Sequence, residues 1–191
     1  MARKNEFKPD KPRSGFLSHL YLTPKQRSTI LRWFLYSMLL VALSVLQDVI
    51  LCRFRLFGAT TALVPCGIFL ICILEGMNES CIFTLIAACL YQFSGGPGYY
   101  TIGLIVVLAI FVAYFRQSFL QEGFGATMLC MAVVLPLYEI VVFIASFLTG
   151  ITTLSRFILP LITAALNLLA CPILYPVVRG IGTIGGETWK E

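Results

Sequence analysis

A carboxylate inside an apolar run is the first residue to ask about chemistry, because a charge at mid-bilayer costs roughly 2.5–3.5 kcal/mol even on insertion-based scales. Glu139 stands near the middle of such a run, three residues after Pro136. The proline removes a backbone donor and frees a carbonyl, so the two together mark an interface or a cavity. Two roles fit Glu139. One is a proton or cation relay or a polar ligand contact. The other, adopted here, is a neutral, protonated group hydrogen-bonded across a bundle, to Asn167 at similar depth in the last apolar run. Gln47 and Asp48 fall toward the end of the first run, where a carboxylate reaches interfacial water or Arg53 at little cost. Glu75 and Glu79 flank the residues Gly76 to Asn78 and read as a solvated turn, with a docking point for a cytoplasmic partner as the sharper alternative. Pro160, Pro172 and Pro176 are expected to kink the last run.

Other chemistry is poorly provided for. The seven cysteines include no C-x-x-C pair and sit in or beside apolar runs, so they read as small packing residues. The single histidine, His19, lies in the polar head, far from them, and no metal or other cofactor is expected. The chain has no H-E-x-x-H, no phosphate-cradling glycine loop and no paired intramembrane aspartates. Without a histidine among the apolar runs it also lacks the commonest general base. The expectation is a protein that is not an enzyme.

The elements that must position these residues follow from composition. Of 191 residues, 59% are apolar and 12% charged, and the mean hydropathy is +0.90, which places the chain in the bilayer. Apolar runs predict six helical spans at about 30–52, 59–75, 77–93, 101–115, 125–149 and 157–178. The third is short, which keeps five spans open, and Ser94-Gly95-Gly96-Pro97-Gly98 breaks the third from the fourth. The reading is an all-α six-helix bundle over 30–179, a basic head over 1–29 and a tail over 180–191. No room is left for a soluble catalytic, nucleic-acid-binding or energy-coupling domain.

Charge supplies the orientation. Lysine and arginine exceed aspartate and glutamate by 14 to 9, and the head alone carries the whole excess of +5. Six spans place Arg116, Arg179 and Lys190 on the same side as the head and leave Arg53, Arg55 and Arg156 opposite, so both termini are expected in the cytoplasm. The head reads as a topology signal against anionic lipid, with no nucleic acid as partner. Within it Phe16, Leu17, Leu20 and Tyr21 share a helical face, as in an interfacial segment.

The stretch Leu46-Gln47 through Gly58, then Leu63-Val64-Pro65 and Glu75-Gly76, resembles the rod shape-determining membrane protein family, MreD. Family members share the basic head, and the size, span count and order also match across roughly residues 30–180. Family members often carry an acidic or amide residue after the proline, where this chain has Cys66. The resemblance implies a non-enzymatic scaffold of the bacterial elongation machinery in the inner (plasma) membrane. Such a scaffold binds the bitopic protein MreC and, through it, links MreB filaments to cell-wall synthases. In a bundle with tiny loops, partners and membrane lipids meet lateral faces, where small residues permit close helix approach. Ser37, Ala42, Ser44, Gln47 and Asp48 of the first span are the expected contacts, with Arg53 and Arg55 reaching a partner outside. The alternative is a substrate-binding S component of an energy-coupling factor transporter, whose fold the MreD family resembles. That protein would hold a vitamin-like ligand with Glu139, Asn167 and Tyr99 or Tyr100.

Overall fold

The computed structural model describes residues 24–53, 59, 61–119 and 123–184. Regular structure among them is helical: α1 (Pro24–Val49), α2 (Leu63–Glu75), α3 (Met77–Phe93), α4 (Tyr100–Phe119), α5 (Phe124–Leu148) and α6 (Ile158–Gly182), with single 3-10 turns at Leu51–Arg53 and Leu154–Arg156. The expected interfacial segment and the start of the head lie outside the described residues. Helix α1 begins at Pro24 and α6 continues to Gly182. A proline suits the α1 start, where its missing N–H costs nothing.

Four of the helices, α1, α4, α5 and α6, are long and apolar enough to cross a membrane. Their outward faces carry exposed Phe34, Val41, Val107, Phe111, Leu169 and Ile173. Such a surface suits lipid and would be a liability in water. The chain is thus compatible with an α-helical membrane protein. Helix α2 departs from the expected second span. It has 13 residues, about 20 Å at 1.5 Å per residue, against a hydrocarbon core of about 30 Å, and residues 61 and 62 are not helical.

The reason lies in the place of α2. Every residue from Leu63 to Leu74 is buried, and the helix packs against all five others. An element enclosed by protein need not match the bilayer's thickness, provided its ends find hydrogen-bond partners inside. The apolar composition that reads as lipid-facing is therefore core-facing. Gly67 lets α1 approach closely, since a Cβ there would fall 2.8 Å from Leu43 Cδ1 and 3.2 Å from Leu40 Cδ2.

A single residue, Gly76, joins α2 to α3. Its φ of 83° is left-handed, a conformation that costs glycine nothing, and its N–H donates to Cys72 O at 3.0 Å. After α3 the glycine-rich segment turns the chain as expected, with Gly96 N bonded to Tyr91 O at 3.2 Å. The Thr101 hydroxyl there donates toward Gln92 Oε1 at 2.8 Å and Gly98 O at 2.6 Å. Helix α5 runs through Pro136, and α6 runs through Pro172 and Pro176, with Pro160 in its first turn.

Candidate functional site

Several buried polar groups gather at the two ends of α2, and its short length explains why. A helix end leaves backbone donors or acceptors without intrahelical partners. Inside a bilayer no water stands ready to take them.

At its start no side chain of α2 itself provides a cap. Two amides from neighbouring helices serve instead. Asn167 of α6 accepts the Ala62 N–H on Oδ1 at 2.8 Å, and Gln47 of α1 accepts the Val64 N–H on Oε1 at 3.2 Å. Pro65, in the same turn, has no donor to satisfy. Asn167 is fully buried, and its Nδ2 donates to Glu139 Oε1 at 3.4 Å. Glu139 is half-buried on α5. Because the Asn167 oxygen must face Ala62, its amino group must face away, and Glu139 receives it. The contact joins the residues paired in the sequence reading and adds a task that the reading missed, holding Asn167 in its capping orientation.

At the other end of α2 the groups are charged. Arg32 of α1 lies with Nη1 3.2 Å from Glu75 Oε2, and the side chains are 5% and 0% exposed. The Tyr36 hydroxyl donates to Glu75 Oε1 at 2.5 Å and lies 3.4 Å from Val178 O of α6. The Arg32 guanidinium sits 5.6 Å from the Trp33 ring centre, within cation–π range. Arg116, from the last turn of α4, donates to Ile73 O, a carbonyl of the last turn of α2. Guanidinium groups at a helix C-terminus complement its dipole.

This corrects the reading of Glu75 as part of a solvated turn. Its carboxylate points back into the bundle, where Arg32 and Tyr36 await it, and full burial of a carboxylate requires such pairing. A signal was present in the sequence. Arg32 and Tyr36 are four apart, so they share a face of α1, and an arginine already inside an apolar run needs a buried partner.

The expected partner-contact residues divide by face. Ser37, Ser44 and Asp48 follow one stripe of α1 and look toward α3. Ser44 Oγ lies 2.7 Å from Ser94 Oγ, and Ser94 Oγ donates to Asp48 Oδ2 at 3.1 Å. Between the two helices is a cleft of about 250 Å³ lined by Ser37, Ser44, Val64, Ala87, Tyr91 and Ser94 among others. Ala42 is exposed on a different face, and Gln47 turns inward to cap α2. Arg53 is exposed at the 3-10 turn, while Arg55 lies outside the described residues. Tyr99 is 85% exposed and Tyr100 pairs with Ser146 at 3.2 Å, so neither bonds to Glu139 or Asn167. Among the described residues, no three His, Cys, Asp or Glu side chains converge as a metal site would require.

Compared with family models, with curated proteins and with solved structures, the chain finds no match.

Proposed function

We propose that this chain is a non-enzymatic membrane scaffold of the MreD type, which receives the single transmembrane helix of an MreC-like bitopic partner. Through that partner it would link MreB filaments and cell-wall synthases in bacterial cell elongation. The observation that carries the reading is the cleft between α1 and α3. Its lining joins apolar side chains to hydroxyls at Ser37, Ser44 and Ser94, with the Asp48 carboxylate at the rim. A lipid acyl chain cannot use hydroxyls or a carboxylate. A helix can, and the small serine and alanine side chains let its backbone come close.

In this reading the six helices all cross the inner membrane, in an arrangement resembling that of S components. Residues 61 and 62 lengthen α2 as non-helical chain, tolerated because Asn167 takes the Ala62 donor and Gln47 the Val64 donor. Arg32 and Arg116 meet the finish of α2 through Glu75 and Ile73 O, and Tyr36 ties the same end to Val178 O, the residue before Arg179. That end is the cytoplasmic one by the positive-inside rule, with both termini on the same side.

The test places a photo-crosslinking residue at Val41 or Leu90 and recovers the chain from native membranes in mild detergent. The expected adduct is a bitopic MreC-like protein. Ala87→Trp, which fills the cleft, should lower its recovery at least tenfold with chain levels unchanged. Ala42→Phe, on another face of α1, should leave recovery as it was. Recovery of an ATPase pair with a coupling subunit would overturn the proposal in favour of a transporter S component. Equal loss from both substitutions would remove the cleft as the contact.

A further inference from the structure

Two of the cysteines meet in the core in a way that packing alone does not require. Cys66 is in the first turns of α2 and Cys171 is one turn beyond Asn167 on α6. Both are fully buried and both are free thiols. Their sulfurs are 3.2 Å apart, closer than the roughly 3.5–4.0 Å at which non-bonded carbon atoms rest. Cys171 Sγ lies 3.3 Å and Cys66 Sγ 3.8 Å from one acceptor, Asn167 O. A common acceptor aims both S–H groups at one point and holds the sulfurs side by side.

We infer that Cys66 and Cys171 form a dithiol that a peroxide closes into a disulfide, fastening the first turns of α2 to α6. One thiol attacks an oxygen of hydrogen peroxide, the O–O bond breaks, and the sulfur becomes a sulfenic acid with release of water. The second sulfur then attacks the first, displacing its hydroxyl as a second water and forming the S–S bond. Two electrons pass from the thiols to the peroxide, and each thiol gives up its proton to a departing water. The sulfurs must approach by only about 1.2 Å, since a disulfide bond is about 2.05 Å long. Hydrogen peroxide is small and neutral, so a brief local opening of the bundle admits it where a larger oxidant would be stopped.

The rest of the core offers a contrast. Cys72 pairs with a hydroxyl, Ser80 Oγ at 3.1 Å, and has the Ala109 carbonyl 3.5 Å away. Neither group can form a disulfide. Oxidation should therefore select the pair over its neighbours in the core.

The test uses the full chain reconstituted in lipid vesicles. It is exposed to hydrogen peroxide, denatured, alkylated and digested under non-reducing conditions, with a soluble thiol protein in the same tube to show that the oxidant was active. The expected result is one crosslinked peptide pair containing Cys66 and Cys171, two hydrogens lighter than the sum of its parts and separated by dithiothreitol. The alkylatable thiols should fall from the seven of the sequence to five. The oxidised chain should also resist unfolding by sodium dodecyl sulfate to a higher detergent fraction, a shift that dithiothreitol reverses. Full alkylation of Cys66 and Cys171 while the soluble thiol is oxidised would overturn the inference. So would conversion of either to sulfinic acid without the crosslink. The wild-type chain supplies every readout, so no core substitution has to fold.

Discussion

The two ends of α2 solve one problem with different chemistry. At the end where α2 starts, exposed backbone donors meet neutral amide oxygens from Asn167 and Gln47, with Glu139 orienting one of them. At the end where it stops, a backbone carbonyl meets Arg116, and Glu75 is held by Arg32 and Tyr36. The amide oxygens at the start and the Arg116 guanidinium at the finish match the helix dipole, whereas the Glu75 carboxylate at the finish runs against it and is offset by Arg32. The difference lies in what happens when a member is lost. A missing amide leaves a backbone donor unsatisfied, whereas a missing ion leaves its buried partner with uncompensated charge.

The largest effect should therefore come from the charged end. Removing one partner of a buried ion pair costs about 3–5 kcal/mol, so Glu75→Ala, which also removes the shorter of the two Tyr36 hydroxyl contacts, should lower stability by that order in detergent unfolding. Neutralising both partners together, as Arg32→Met with Glu75→Gln, should cost clearly less than Glu75→Ala, because the glutamine still accepts from Tyr36 and no charge is left alone. If the double variant is the less stable of the two, the charged end is not an electrostatic unit and the comparison breaks.

At the amide end, Asn167→Leu removes the Ala62 cap and the donor to Glu139 together. Leaving a buried polar group unsatisfied costs about 1–3 kcal/mol, and the same unfolding assay should register a loss in that range. Gln47→Leu removes a single cap and should cost about 1 kcal/mol, the usual worth of an N-cap. Equal losses from the two would mean that Glu139 adds nothing to the Asn167 site.

How far the sequence disclosed these ends depends on what a run of residues can show. Glu139 and Asn167 were legible as a pair because each is a rare polar residue deep in an apolar run, and such groups must satisfy one another in lipid. Their service to α2 was hidden, since hydropathy cannot say that residues 61 and 62 stand outside the helix and that donors at its start must be met from α1 and α6. Glu75 was misread for a related reason. It sits beside Gly76, a turn signal, and a carboxylate beside a turn is usually solvated; only the packing of α1 against α2 shows it turned inward. The long helices α1, α4, α5 and α6 emerge near their predicted limits because their length alone carries the signal. Helix α2 is just as apolar, yet its apolarity serves burial by protein, and periodicity cannot separate the two environments.

The smallest expected effect is the one that bears most directly on the contrast between a charged end and a neutral one. Glu139→Gln keeps the shape of the side chain and an oxygen that accepts from Asn167 Nδ2, while removing any chance of charge. If Glu139 is a neutral hydrogen-bonded group, the change exchanges one uncharged acceptor for another and should fall within about 0.5 kcal/mol, the range of substitutions that touch no special feature. Insertion and partner recovery should be unaltered. Were Glu139 ionised, Asn167 would be donating to a charge, a bond worth about 1.5–3 kcal/mol, and the variant would lose a measurable part of it. Unfolding in mixed micelles resolves that difference, and a loss above about 1 kcal/mol, with Asn167→Leu measured beside it, would make the start of α2 a second charged end.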